Sequence, residues 1–225
     1  IGLVAVFMLF LFTHSETAHS QTKLRFDIFS QEEGLPNNQI QCIYQDSKGW
    51  MWIGTSQGLS RFDGYSFVNF LPDPNDSLSL KGNLVRVICE DNHGNLLIGT
   101  ETGGLNVFNR EKETFTQALY VLPESKTRDI SVNDIQLNDD GGFWIATDLN
   151  LLFYDSQGIL SSLDPELDAD GKKLEGNYIR NLQLDREGQL WIGTNNGIFI
   201  YHTRTNKLET FDLAFKDDQN HEIWE

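Results

Sequence analysis

The dominant pattern along the chain is an alternation of short apolar runs with polar turns rich in Asp, Asn and Gly. Four segments share one order of residues, in which a polar turn leads to a large apolar residue, Ile, a small residue and Thr. They begin at Asp46, Asp91, Asn138 and Asp185. Successive copies lie 45, 47 and 47 residues apart. A period in the mid-forties with several short strands per unit is typical of β-propeller blades.

Each copy predicts four strands. Apolar-rich runs at 40–44, 85–89, 132–137 and 179–184 predict first strands packed on both faces, nearest the propeller axis. The Asp-x-x-Gly turn then forms a hairpin, because the Asp side chain can accept bonds from the following amides and Gly tolerates a positive φ. The third strands follow at 59–62, 105–108, 151–154 and 198–201. The fourth strand is less regular and is weakest in the third copy, near 159–163.

The predicted fold is therefore all-β: four four-stranded blades of an incomplete ring, expected to have seven blades. Blade bounds are set at 38–71, 83–121, 130–163 and 177–213, with a linker at 214–225 and coil at 164–176. The residues that recur between copies have roles in turns, in filling the space between blades, or in close backbone approach. They are Asp46, Gly49, Trp52, Gly54, Gly58, Asp91, Gly94, Gly99, Gly141, Trp144, Asp185, Gly188, Trp191, Gly193 and Gly197.

The two ends of the chain suggest a piece of a longer protein. Residues 1–12 are wholly apolar and a polar stretch with small residues follows, which predicts a signal peptide over 1–20 whose start is missing. Residues 24–29 look like a fourth strand without a blade, and we expect them to complete a last blade outside this sequence. The repeat period places the next first strand just beyond residue 225.

Composition narrows the function classes. The net charge is −16, with 33 acidic and 17 basic residues, which disfavours nucleic-acid binding, and no later segment is apolar enough to cross a membrane. The two cysteines, Cys42 and Cys89, lie on first strands of adjacent copies, two residues out of register. Export would permit a disulfide between them, but two buried free thiols are the favoured interpretation.

The pattern Gly34-Leu-Pro-Asn-Asn-Gln-Ile40, followed by Asp46-x-x-Gly49-x-x-Trp52-Ile-Gly-Thr55 and Gly58-Leu-Ser-Arg-Phe62, resembles the two-component regulator propeller repeat. The third copy departs from it at Ala146 and Asn150, where we expect altered turn geometry. The resemblance implies the periplasmic sensor of a hybrid histidine kinase of Bacteroides-type bacteria. It also implies oligosaccharide ligands, pairing with the remaining blades of the receptor, and a homodimer of the full receptor.

Catalytic chemistry finds little support. No spacing suits a metal ion or cofactor, and His221 lacks the helical context of a phosphoacceptor. The Asp turns are also similar to those of sialidase propellers, which leaves a propeller enzyme as an alternative beside a stand-alone secreted scaffold. Sialidases need several convergent arginines, and only Arg86 and Arg180 fall at equivalent repeat positions. Candidates for stacking against sugar rings, each with a core-packing alternative, are Trp50, Tyr65, Tyr120 and Tyr178.

Overall fold

The computed structural model contains four four-stranded antiparallel meanders that follow one another along the chain. It describes residues 25–118, 130–163, 166–167, 174, 178–211, 215–216 and 222–223. The predicted signal peptide, Tyr120 and most of the predicted linker at 214–225 lie outside these ranges. Among the described residues the helical content is one 3₁₀ turn, Gln31–Glu33, capped by Ser30. The all-β prediction is confirmed.

In each meander, strands that are neighbours in sequence are neighbours in space. The first blade contains β1 (Ile40–Gln45), β2 (Met51–Thr55), β3 (Gly58–Phe62) and β4 (Phe67–Phe70). The second contains β5 (Val85–Glu90), β6 (Leu96–Thr100), β7 (Leu105–Asn109) and β8 (Thr114–Gln117). The third contains β9 (Val132–Leu137), β10 (Phe143–Thr147), β11 (Leu151–Tyr154) and β12 (Leu160–Ser162). The fourth contains β14 (Ile179–Leu184), β15 (Gln189–Thr194), β16 (Gly197–His202) and β17 (Lys207–Phe211).

The segment predicted as coil at 164–176 contains a short strand, and the coil prediction was wrong there. This strand, β13 (Glu166–Leu167), pairs in parallel with β17 and adds a fifth strand to the outer edge of the fourth sheet. The outer edge of a sheet has unpaired backbone donors and acceptors. A nearby segment can pair with them even when its side chains show no repeat pattern. Farther on, β18 (Phe215–Lys216) and β19 (Glu222–Ile223) form a small hairpin.

The core lies between the blades, in three separate layers. Trp52 and Leu59 of the first blade pack against Val85, Leu96 and Phe108 of the second. A second layer joins the second blade to the third, and a third layer around Trp144, Ile179 and Leu190 joins the third blade to the fourth. Each blade thus buries its apolar faces against its neighbours, as expected for a repeat architecture.

Close approach between blades explains the small residue that follows Ile on the second strand. A Cβ added to Gly99 would lie 2.5 Å from Cγ1 of Val132 on the next blade and 2.6 Å from Cγ1 of Val87. At Gly54 it would lie 2.5 Å from the sulfur of Cys42. Ala146, the equivalent residue of the third blade, is fully buried. Its cross-strand neighbour is Asp134, in place of Cys42 or Val87, so the third blade accommodates a methyl group at this position.

The cysteines lie in different layers. Cys42 packs against the layer between the first and second blades, and Cys89 against the layer between the second and third. Both thiols are free. Burial raises the pKa of Cys42 to about 12 and that of Cys89 to about 11, so both are unreactive at neutral pH.

Residues 25–29 form no strand within the described part of the chain, and Phe26 and Ile28 are exposed. Phe29 packs on the first blade, with its ring centroid 5.1 Å from that of Phe62 and 5.7 Å from that of Phe67. Pairing of this segment with a last blade therefore remains a prediction.

Candidate functional site

Hydrogen bonds to the Asp side chains stabilise the turns within the blades. The Oδ1 atom of Asp46 accepts bonds from the amides of Lys48 and Trp50, and its Oδ2 accepts a 2.7 Å bond from the indole N–H of Trp52. Asp185 repeats this arrangement with Trp191. Burial opposes ionisation of Asp46, but the bonds from Trp52 and Arg110 outweigh it and lower its pKa. The oxygens of these carboxylates are thus already occupied within the blade.

One Asp turn also links two blades. The guanidinium of Arg110, on the second blade, donates to Oδ2 of Asp46 at 2.6 Å and to Oε1 of Glu90 at 2.9 Å. Glu90 in turn accepts bonds from the amide and the hydroxyl of Ser47. The Arg110 side chain is only 7% exposed and that of Asp46 is fully buried. This cluster secures the first blade to the second.

The third blade lacks the Asp–Trp bond. Asn138 occupies the turn position, and the buried indole nitrogen of Trp144 has no hydrogen-bond partner among the described residues. Its other turn differs in backbone conformation. Gly58 has a φ of +116°, whereas Asn150 avoids a positive φ. The bond from the Thr147 hydroxyl to the Asn150 carbonyl is kept, as between Thr55 and Gly58 in the first blade.

The four innermost strands share a β-bulge near their first residue. The register skips one residue in each strand, between Ile40 and Cys42 in the first blade and at the same place in the others. The skipped residues, here called the bulge positions, are Gln41, Arg86, Asn133 and Arg180. Bulges re-aim side chains and are frequent beside functional sites. Sequence reasoning singled out the two arginines, but the pattern of apolar residues gave no sign of the bulge.

The bulge positions lie at one end of the blades, called here the bulge end, together with the turns between second and third strands. In every blade the same backbone bond joins this turn to the residue preceding the innermost strand: Ser56 to Gln39, Glu101 to Leu84, Asp148 to Ser131, and Asn195 to Tyr178. The backbone is therefore constant while the side chains change from blade to blade. A constant frame presenting variable polar groups is suited to recognising a ligand.

Contacts at the bulge end form both between neighbouring blades and within single blades. The Asn133 side-chain amide donates to the carbonyl of Ile179 at 2.7 Å, and its Oδ1 accepts a 3.2 Å bond from the Tyr178 hydroxyl. In the second blade Arg86 is paired with Glu101 at 2.5 Å. In the first blade Gln41 donates to the hydroxyl of Ser56. The bulge positions of the first three blades are thus held by direct hydrogen bonds to neighbouring groups.

The stacking candidates are divided between the two ends. Tyr178 lies at the bulge end, whereas Trp50 and Tyr65 lie in turns at the opposite end, called here the turn end. Tyr65 is 95% exposed. The ring of Trp50 packs against the core and is covered by the guanidinium of Arg61, 4.4 Å from its centroid. Tyr120 lies outside the described residues.

A groove of about 700 Å³ runs along the turn end between the third and fourth blades. Three of the polar side chains that line it are already engaged in hydrogen bonds. Gln136 and Gln183 donate to backbone carbonyls of their own strands, and Asp185 is held by its own turn. We therefore favour the bulge end as the candidate site. No three His, Cys, Asp or Glu side chains of the described ranges are grouped so as to hold a metal ion.

Comparison with known families supports the repeat assignment. The family described as "Two component regulator propeller" matches residues 34–57, 79–102 and 173–196. These are the first, second and fourth repeats, each from its entry linker to the turn after the second strand. The third repeat, with its altered turns, is not among the matched segments. The predicted resemblance is confirmed.

This chain spans only part of the length of the longer proteins that it resembles. Histidine kinase P4 of Formosa agariphila is 34% identical over 80 residues, which are 36% of this chain and 6% of that protein. The crystallised extracellular domain of a protein named as a hybrid two component system of B. thetaiotaomicron has a TM-score of 0.69 at 24% identity, covering 86% of this chain and 28% of its own. A streptogramin B lyase has a TM-score of 0.57 at 20% identity, covering 80% and 56%. At these identities the two structures establish the propeller fold alone. In the part of the chain that the structure describes, no helix is long and apolar enough to span a membrane.

Proposed function

Because segments of three of its four blades match the two component regulator propeller family, we propose that this chain is the N-terminal part of the ligand-sensing propeller of an exported two-component receptor. The site itself is non-catalytic. The receptor is expected to bind oligosaccharides on its periplasmic side, to close its ring with further blades, and to act as a homodimer. Its kinase lies in a part of the receptor beyond this chain.

The structural observation that supports the proposal is the arrangement of residues at the bulge end. Four identical bulges present Gln41, Arg86, Asn133 and Arg180 from one constant backbone frame. Amides and guanidinium groups supply several donors each, and the amides also supply acceptors, which suits ligands rich in hydroxyl groups. The regular repeat residues, by contrast, are engaged in turns and interblade packing.

A panel of neutral and acidic oligosaccharides tests the function. We expect saturable binding by titration calorimetry, with every ligand recovered unchanged by chromatography. Turnover would contradict a sensor and favour an enzyme, and absence of binding across the panel would contradict ligand sensing. For the receptor as a whole, the coding sequence after residue 225 should contain further blades, a membrane helix and a histidine kinase.

A further inference from the structure

Arg180 and Arg86 occupy equivalent bulge positions but differ in their electrostatic partners. Arg86 is paired with Glu101, which lies in the turn after the second strand of its own blade. At the equivalent turn position of the fourth blade the residue is Asn195, which carries no charge. Within the described residues, Arg180 forms no ion pair. In a chain with 33 acidic residues and 17 basic ones, a bulge arginine without a carboxylate partner is available for an external anion.

The position of Arg180 is set by Tyr178. The guanidinium carbon lies 5.3 Å from the centroid of the tyrosine ring. Such cation–π contacts orient a guanidinium without neutralising it. Arg180 is exposed. Its charged guanidinium lies over Tyr178 at the bulge end.

Both the backbone and the hydroxyl group of Tyr178 are held by hydrogen bonds. Its amide donates to Oδ1 of Asn195 at 2.9 Å, and its carbonyl accepts a 3.2 Å bond from the Asn195 amide. Its hydroxyl donates to Oδ1 of Asn133, which is itself bonded to the hydroxyl of Ser131. The platform beneath Arg180 therefore spans the third and fourth blades and needs little reorganisation when a ligand binds.

We propose that Arg180 is the anion-binding residue of the bulge end and that the ligand is an acidic sugar, carrying a carboxylate or a sulfate group. A guanidinium can donate two parallel hydrogen bonds to either oxyanion, which gives both affinity and orientation. This inference rests on the proposed function, which it makes specific by naming the class of sugar.

Titration calorimetry of the chain with trigalacturonate, a sulfated galactose oligosaccharide and neutral galactotriose tests the proposal. The two acidic sugars distinguish carboxylate from sulfate. The variant Arg180→Gln should weaken acidic-sugar binding about tenfold or more, the loss expected for a charged hydrogen bond. Arg180→Lys, which keeps the charge but loses the two-pronged donor, should retain part of the affinity.

Arg186→Gln is the matched control, because it removes the same charge from the same blade at the exposed turn end. It should leave binding unchanged, and both variants should melt at the temperature of the unaltered chain. Equal weakening by the two variants, or acidic binding insensitive to Arg180→Gln, would refute the assignment. If galactotriose binds as well as trigalacturonate, the acidic-sugar inference fails while oligosaccharide sensing stands. If none of the three sugars binds, the inference is overturned, and the broader panel alone decides the proposed function.

Discussion

The substitution Asn138→Asp should stabilise the protein by completing the one Asp turn in which a buried tryptophan lacks its partner. The backbone is already suitable. The Asn138 amide bonds to the Gly142 carbonyl at 2.8 Å, and the Gly141 amide bonds to the Asn138 carbonyl at 3.0 Å. Gly141 has a φ of +86°, the same value as Gly49 in the first blade. A carboxylate at 138 is therefore placed as Asp46 is placed.

The magnitude follows from the indole nitrogen of Trp144, a residue that is 6% exposed and whose buried N–H has no partner among the described residues. A buried donor without a partner costs about 1–3 kcal/mol. Repulsion from the exposed neighbours Asp139 and Asp140 offsets a few tenths of a kcal/mol, as is usual for surface charges. The net gain in the free energy of unfolding should be about 1–2 kcal/mol. Because turn bonds lower the pKa of the equivalent Asp46 and Asp185, the gain should be full at neutral pH and be lost as the pH falls through the depressed pKa.

Urea unfolding monitored by tryptophan fluorescence, at pH 7 and at pH 3, measures this difference. Asn138→Ala serves as the control, since it removes the amide without supplying an acceptor and should give no gain. A variant Asn138→Asp that is no more stable than the unaltered chain at pH 7 would refute the reasoning. A gain of equal size at pH 3 would show that the carboxylate is not its source.

Three further predictions concern the layers between blades, and equilibrium urea unfolding measures each of them. Arg110→Met should cost about 3–5 kcal/mol, because it leaves two buried carboxylates without their cation; a loss below 1 kcal/mol would contradict a structural role. Gly99→Ala should cost about 1–3 kcal/mol through overpacking, whereas Gly193→Ala, whose new Cβ would meet nothing closer than 3.8 Å, should be nearly neutral. Burial raises the pKa of Asp134, so the contribution of this residue to the free energy of unfolding is greatest in acid and falls as the pH rises through the raised pKa. Asp134→Asn should remove this pH dependence. A variant with the same pH profile as the unaltered chain would contradict the assignment.

The fold could be predicted from the sequence because the same residues recur where the geometry is demanding. An Asp turn, a large residue beside the next blade and a small residue at the close approach each leave a mark in every copy. The same reasoning identified the third copy as divergent because of its Ala146 and Asn150, and the structure shows that Asn150 lacks the positive φ of the equivalent Gly58 and Gly197. Sequence reasoning did not predict that the indole nitrogen of Trp144 lacks a hydrogen-bond partner. Asn differs from Asp by a single oxygen acceptor, which is a small change in the sequence but has a large effect in a buried site.

The short strand Glu166–Leu167 and the bulges escaped prediction for a different reason. Both are properties of backbone pairing between strands that are distant in sequence or offset by one residue, and side-chain periodicity does not record them. The bulge moves a polar residue out of register without disturbing the apolar residues on either side, such as Ile179 and Leu182. A polar residue within an apolar run is the only local sign, and many solvent-facing strand residues give the same sign.

The bulge also explains why the candidate site is built at positions that the repeat leaves variable. Packing between blades restricts the residues on either side, since Val132 and Ile179 fill the layers beside Gly99 and Ala146. The skipped residue is less restricted, because none of the four bulge positions is buried and both Gln41 and Arg180 are exposed. Gln, Arg, Asn and Arg can therefore occupy one position in successive blades at little cost to the fold. Recognition chemistry can thus change from blade to blade while the frame that aims it stays fixed, and Arg180, with a neutral Asn195 where Arg86 has Glu101, is one such change.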